Sequence, residues 1–278
     1  MGGDRFTAGG ARHNRGVQIF GVVNAAPDSA AKFTIVADAA AARLRGAALL
    51  AAGAEGIDIG AEGSTGSAAD VDAESEWARL AEPLAGVVSL GVDVSVDTRH
   101  ASVAERALDA GATVLNAGDA LQSEAMVRLA AEREVRVVLP FMLGPDFRSL
   151  RHVVGDPVPV IVDWFETQLR RLRPRGVVER LLLDPGVGFA PHGWNWPDRY
   201  EYQKAVSAGL GELRRFGLPL YVPVAWKQAP DRLELIDLAL AHNPEFVRAH
   251  IPSQVRARHA ALVAGTPLPT DRLTTATV

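Results

Sequence analysis

The chain has 278 residues, 48% of them hydrophobic, and a formal net charge of −4. That length and apolar content suit one large α/β barrel or two smaller domains. The mild acidity gives no footprint for a nucleic-acid or membrane partner, and the lack of cysteine excludes disulfides, thiol nucleophiles and thiolate metal sites. Residues 1–15 are rich in Gly and Arg and lack the apolar run of a secretion signal. No stretch reaches the ~20 apolar residues of a membrane-spanning helix. The expectation is a cytoplasmic protein with a flexible segment over 1–15, one folded unit over 16–264 and a flexible Thr/Pro-rich tail over 265–278.

Taken in chain order, the strand candidates are GVQIFGVVN (16–24), EGIDIG (55–60), VDVSVDT (92–98) and TVLNAGD (113–119). They continue with VRVVLPFM (135–142), RLLLDPG (180–186), LPLYVPVAWK (218–227) and EFVRAHI (245–251). A segment with helical apolar spacing follows each, as in ASVAERALDAG with its terminal Gly. Near-continuous apolar runs are what strands buried on both faces show. Eight strands each trailed by a helix predict a single (β/α)8 TIM barrel rather than an open sheet.

The strands begin apolar and end polar: Asn24, Asp58, Asp97, Asn116, Asp184, Lys227, His250. Barrel active sites are built at that end. Any one such tip is equally well a strand leaving the core, but seven together predict a pocket. Asp97 and Asp184 are placed to accept N–H groups of a heterocycle, and Asn116 offers both donor and acceptor, a set that matches an aminopyrimidinone edge. Lys227 and Arg248 end the last two strands, where barrels commonly hold phosphate, and the Arg248 guanidinium can also stack on a flat ring. The competing reading is that both acids form salt bridges to Lys227 or Arg248 and only stabilise the rim. The seven histidines show no metal-ligand spacing.

These motifs carry a family resemblance. GVVNAAPDS (21–29), GAEGIDIGAEGSTGSA (53–68), VSVDTRHASVAERALDAGATVLN (94–116), LLLDPGVGF (181–189), PLYVPVAWK (219–227) and VRAHI (247–251) resemble, in order and spacing, the dihydropteroate synthase motifs. Those read GILNVTPDSF, GADIIDVGGESTRPGA, SVDT followed by IIND, LLDPGFGF, PLLVGMSRK and IRVHD. The resemblance implies a pterin-binding barrel in which Asp97, Asn116, Asp184, Lys227 and Arg248 hold the pterin, with Asp97, Lys227 and Asp184 as the catalytic set. It implies that Asn24, Arg248 and His250 serve a diphosphate, with Asn24 as ligand of a Mg2+ ion. It also implies a homodimer; LELIDLALAHN (233–243) carries an apolar stripe that suits either a subunit contact or a helix covering the barrel.

The acceptor side departs from the family. ESTRPG becomes EGSTGS, leaving Ser64 and Thr65 without the loop arginine and proline; SRKS becomes AWKQ, placing Trp226 and Gln228 where the family has arginine and serine. The IIND aspartate is Ala117, a histidine is Phe141, a strand glycine is Pro223, and the first-loop aromatic is lost or moved to Phe33. Loss of guanidinium groups removes charge-assisted, bidentate hydrogen bonds. Ser64, Thr65, Trp226 and Gln228 are the candidate acceptor site. Trp194 and Trp196 in GWNWPDRY wall an acceptor or anchor a loop; Trp226 covers a pterin face or packs on a helix; His192 reaches the pocket or sits exposed on its loop; Asp163, Trp164 and Phe165 read as packing residues. Three functions follow: a transferase joining a pterin diphosphate to an unusual acceptor, with specialised metabolism as its setting; a pterin-binding paralogue without turnover; and a methyltetrahydrofolate-type methyltransferase.

Overall fold

The computed structural model describes residues 16–63, 69–151, 153–188, 193–227, 229–266 and 268. All eight expected strands are present: β1 (Gln18–Asn24), β2 (Gly56–Gly60), β3 (Asp93–Thr98), β4 (Val114–Ala117), β5 (Arg136–Pro140), β6 (Leu181–Asp184), β7 (Tyr221–Pro223) and β8 (Phe246–Ala249). Between and after them lie α1 (Ala39–Ala51), α2 (Ala73–Val88), α3 (Ala101–Asp109), α4 (Glu124–Glu132), α5 (Pro157–Leu172), α6 (Trp196–Ala208), α7 (Pro230–Leu240) and α8 (Pro252–Val263). The strands pair in parallel in the order β6-β5-β4-β3-β2-β1-β8-β7. One bridge, Leu183 to Leu220, joins the two outer strands and closes a (β/α)8 barrel.

Strand β7 has three residues where the sequence predicts ten. Pro219 lies just before it and Pro223 is its last residue, and a residue without an N–H cannot donate to a ladder. The helices start where sequence chemistry places them: Asp38, Asp72, Ser123, Asp156 and Asn195 accept backbone N–H groups at the first turns of α1, α2, α4, α5 and α6.

Alternation along the strands sorts the barrel interior into two layers. The lower one is apolar: Phe20, Val114, Val138, Leu182, Tyr221 and Phe246 form one buried cluster. Its rings sit 5.8 Å (Phe20–Tyr221) and 6.1 Å (Phe20–Phe246) apart. Gly56 makes room, because a Cβ there would fall 2.7 Å from the Phe20 ring. Two residues further along, β3, β4, β6 and β8 present Asp97, Asn116, Asp184 and Arg248 to the cavity. Outside the barrel the helices bury a second core, including Leu80, Leu84, Met126, Phe165 and Leu169. Phe165 is fully buried and Trp164 packs edge-on against Phe141 at 5.4 Å, so both are packing residues as the sequence suggests. The apolar stripe of α7 is spent on the chain's own barrel, with Leu233, Ile236 and Leu240 buried. Among the described residues, no helix is long and apolar enough to cross a membrane.

Candidate active site

The upper layer is organised around Asp58, which is fully buried on β2. Its Oδ2 accepts from Arg248 Nε at 2.5 Å, and its Oδ1 accepts from Ser95 Oγ (2.7 Å), Asn116 Nδ2 (3.3 Å) and the Tyr221 hydroxyl (3.5 Å). Burial and then the Asp58 charge push the Tyr221 hydroxyl well above its ordinary pKa, so it stays a donor. Burial opposes the Arg248 charge, but Asp58 and Asp97 overcome it and hold that guanidinium above its ordinary range. One bond thus fixes Arg248 and leaves its Nη2 3.5 Å from Asp97 Oδ2.

Asp97 and Asp184 flank this centre. Asp97 exposes 33% of its side chain to the cavity, yet the surrounding wall desolvates it. Burial first, then the Asp58 charge, push it up to about 7. Asp184 is 5% exposed and accepts from the Gly186 N–H at 2.8 Å. Burial pushes it up to about 7 against that hydrogen bond. Gly186 adopts φ +77°, and a Cβ there would meet the Phe141 carbonyl at 2.7 Å, which explains a glycine two residues after the acid. Asn116, 7% exposed, completes the arc. The cavity encloses about 680 Å3 including its open mouth, with Thr98, Pro140, Gly188 and Pro223 among its walls.

The rim pairs two guanidiniums with two carboxylates. Glu62 follows β2, and its oxygens take Arg99 Nε at 2.9 Å and Arg148 Nη2 at 2.5 Å. Beneath it the fully buried Glu76 accepts from Thr98 Oγ1 at 2.8 Å, and its Oε1 has no partner among the described residues. Burial pushes Glu76 up to about 8, so it is neutral at pH 7. One potential ligand atom from each of Glu62, Glu76 and His100 lies within 4.8 Å of the others. Both Glu62 oxygens are nevertheless committed to guanidiniums, and His100 Nε2 faces the Val71 carbonyl at 2.8 Å. Arg99 and Arg148 against Glu62 and Asp70, with Glu76 neutral, balance without an ion.

Phe33 from the β1–α1 loop, Trp226 after β7 and His250 after β8 form an aromatic triangle with centroids 5.8, 6.1 and 6.4 Å apart. Arg45 stands 5.5 Å over Phe33 and donates to the His250 carbonyl at 3.3 Å. Burial, then Arg248 and Arg45, depress His250 to about 3, so its ring is a neutral imidazole.

Residues 20–234 match the family described as pterin binding enzyme. The chain belongs to that family. It is 30% identical over 273 residues to a dihydropteroate synthase type-2 of Escherichia coli, covering 90% of this chain and 97% of that protein. It is also 29% identical over 272 residues to a probable bifunctional folylpolyglutamate synthase/dihydropteroate synthase of Haloferax volcanii, of which it spans 31%. The crystal structure of dihydropteroate synthase from Anaplasma phagocytophilum with bound 6-hydroxymethylpterin-monophosphate superimposes with a TM-score of 0.75 at 26% identity, covering 90% of this chain and 99% of that one.

Within this pterin-binding enzyme, Asp97, Asn116, Asp184 and Arg248 converge on one cavity. Lys227 does not join them: it is exposed, with Nζ 5.7 Å over the Trp226 ring. Of the two acids, Asp97 faces Arg248 Nη2 at 3.5 Å, whereas Asp184 accepts from the Gly186 N–H and, among the described residues, neither forms a salt bridge to Lys227. Asn24 ends β1 and donates from Nδ2 to Thr34 Oγ1 at 2.6 Å. Trp196 donates to Asp231 and Trp194 packs on Tyr202 at 5.3 Å, so both tie down the start of α6. Ser64, Thr65, His192 and Gln228 lie outside the described residues. Several contributors carry no mark in the sequence, Glu62 and Arg99 at the rim among them. Asp58 is visible only as one polar tip among seven, and nothing marks it as the hub. Tyr221 looks like an ordinary apolar strand residue. Arg148 sits in a loop with no motif.

Proposed function

We propose that this chain is a transferase of the dihydropteroate synthase type that joins a pterin diphosphate to an amine or other acceptor different from the ordinary one. The observation that carries it is the pair Asp97 and Asp184, two desolvated carboxyls beside Asn116 in a cavity anchored by Arg248. Such carboxyls are poised to accept ring N–H donors, and they stabilise positive charge that develops on the ring as a leaving group departs. The monophosphate pterin bound by the Anaplasma phagocytophilum relative supports a phosphorylated substrate here.

The leaving-group end is assigned to Asn24, Arg248 and His250. Asn24 uses its Nδ2 on Thr34, which leaves a neutral amide oxygen as the donor to a cation. Magnesium prefers several hard oxygens and usually retains water and substrate phosphates, so this set fits an ion shared with a diphosphate rather than one held by protein alone. Such an ion supplies charge neutralisation at the leaving oxygens. His250, neutral and packed in the aromatic triangle, contributes as a hydrogen-bond partner and not as a cation. Lys227 reaches the substrate only by leaving Trp226.

Support for an altered acceptor is local. Trp226 stands where the family carries arginine, and it packs against Phe33 and His250, so that position offers an aromatic ring in place of a cation. The decisive experiment is calorimetry with 6-hydroxymethylpterin, with and without diphosphate and Mg2+, followed by turnover of 6-hydroxymethylpterin diphosphate against a panel of amines. Cooperative binding with turnover of an amine other than 4-aminobenzoate establishes the proposal. Binding of the pterin without turnover selects the non-catalytic paralogue, methyl transfer from a methyltetrahydrofolate donor selects the third reading, and no pterin binding removes all three.

A further inference from the structure

The deep cavity is acidic, with Asp58, Asp97 and Asp184 against Arg248, whereas its rim pairs two guanidiniums with two carboxylates. Arg99 leaves β3 and Arg148 comes from the β5–α5 loop, and both reach Glu62, which is 6% exposed. Two guanidiniums on one buried carboxylate leave one positive charge unmatched. Asp70 supplies the remaining negative charge, and its side chain is 78% exposed. Its Oδ1 lies 2.5 Å from Arg99 Nη2 and 3.7 Å from Arg148 Nη1, so it bonds one guanidinium and only faces the other. Arg148 Nε is buried and has no partner among the described residues. Phe147, 4.2 Å beneath the Arg148 guanidinium, belongs to the cavity wall together with Glu62 and Arg99.

An exposed ion pair is weak and screened by solvent, whereas a planar guanidinium in a half-enclosed mouth binds oxyanions with charge-assisted, paired hydrogen bonds. We infer that Arg99 and Arg148 form an oxyanion subsite at the rim, in which Asp70 is an internal ligand that a carboxylate or phosphate oxygen of a substrate displaces. The inference rests on reading this cavity as the substrate site. It gives the substrate site a guanidinium pair supplied by the segments after β3 and β5. The buried Glu62 holds both side chains in place when Asp70 leaves.

The test is calorimetry of the full chain and two variants with 4-aminobenzoate, inorganic diphosphate and aniline, each with and without saturating 6-hydroxymethylpterin. Asp70→Asn, an exposed and nearly isosteric change, removes the competitor and tightens an anion about fivefold, the scale of one exposed ion pair. The anion that responds identifies the source: 4-aminobenzoate for an acceptor carboxylate, diphosphate for the donor. Arg148→Lys weakens the same anion about tenfold through loss of the planar fork. Aniline and 6-hydroxymethylpterin are unaffected by either change. Asp70→Asn that leaves both anions unchanged, weakens them, or shows no measurable binding of either overturns the subsite. If 6-hydroxymethylpterin does not bind while Asp70→Asn still tightens an anion, the pterin reading falls and the oxyanion subsite stands.

Discussion

Arg248 Nε and Asp58 Oδ2 meet at 2.5 Å in the barrel interior, and this bond holds the guanidinium 3.5 Å from Asp97. Asp58 also receives Ser95, Asn116 and Tyr221, so β2, β3, β4, β7 and β8 share one acceptor. Removing the carboxylate leaves Arg248 buried without its partner, a change that typically costs about 3–5 kcal/mol. Asp58→Ala is expected to lose about that much in urea unfolding and to lose pterin binding. A variant as stable as the parent, or one that still binds, contradicts the hub.

Asp184→Asn keeps the size of the side chain and replaces a carboxylate acceptor by an amide. A hydrogen bond to a charged group contributes about 1.5–3 kcal/mol, so pterin affinity is expected to fall roughly 10- to 100-fold. Unfolding midpoints measured in parallel separate this from damage to the fold, since Asp184 bonds locally to Gly186.

Asp97 and Asp184 are both raised to about 7, chiefly by burial. An unfolded chain releases those protons near pH 4, and the folded one holds them until about 7. The unfolded state therefore binds fewer protons between those limits, and the contribution of this pair to stability falls as pH climbs through them. Ring N–H donors favour the ionised acids, so pterin affinity is expected to rise from pH 5.5 to 8 with proton release. Calorimetry in buffers of different ionisation enthalpy measures that release; affinity that is flat or falls with pH contradicts the assignment.

Glu76 offers a separate check. It is fully buried and raised to about 8, chiefly by burial, so glutamine resembles its neutral form. Glu76→Gln is expected to change stability by less than about 1 kcal/mol at pH 6 and to flatten the decline in stability between pH 4.5 and 8. A large loss at pH 6 means that the ionised carboxylate is the form the fold requires.

The barrel was legible because its signals are local: apolar runs for doubly covered strands, polar tips at one end, Asp, Ser or Asn before five of the helices. Asp97, Asn116, Asp184 and Arg248 were legible for the same reason, each ending or nearly ending a strand. Lys227 lies beyond Pro223, the last residue of β7, and is exposed, so the ten-residue strand that the sequence predicts does not extend to it. Asp58, Tyr221 and Arg148 were opaque because their importance lies in partners 37 to 190 positions away. No spacing rule reaches that far.

The single Leu183–Leu220 bridge gives the barrel a clasp as well as a hoop. Strand β6, on one side of it, leads directly to Asp184; β7, on the other, leads to Trp226 and the aromatic triangle. Asp184 and Pro223, one from each side, both line the cavity, so a ligand that fills it would span that clasp as a strut. The backbone amides of Leu183 and its neighbours should therefore be the barrel's built-in gauge of occupancy, exchanging with solvent when the mouth is vacant and falling silent when it is filled.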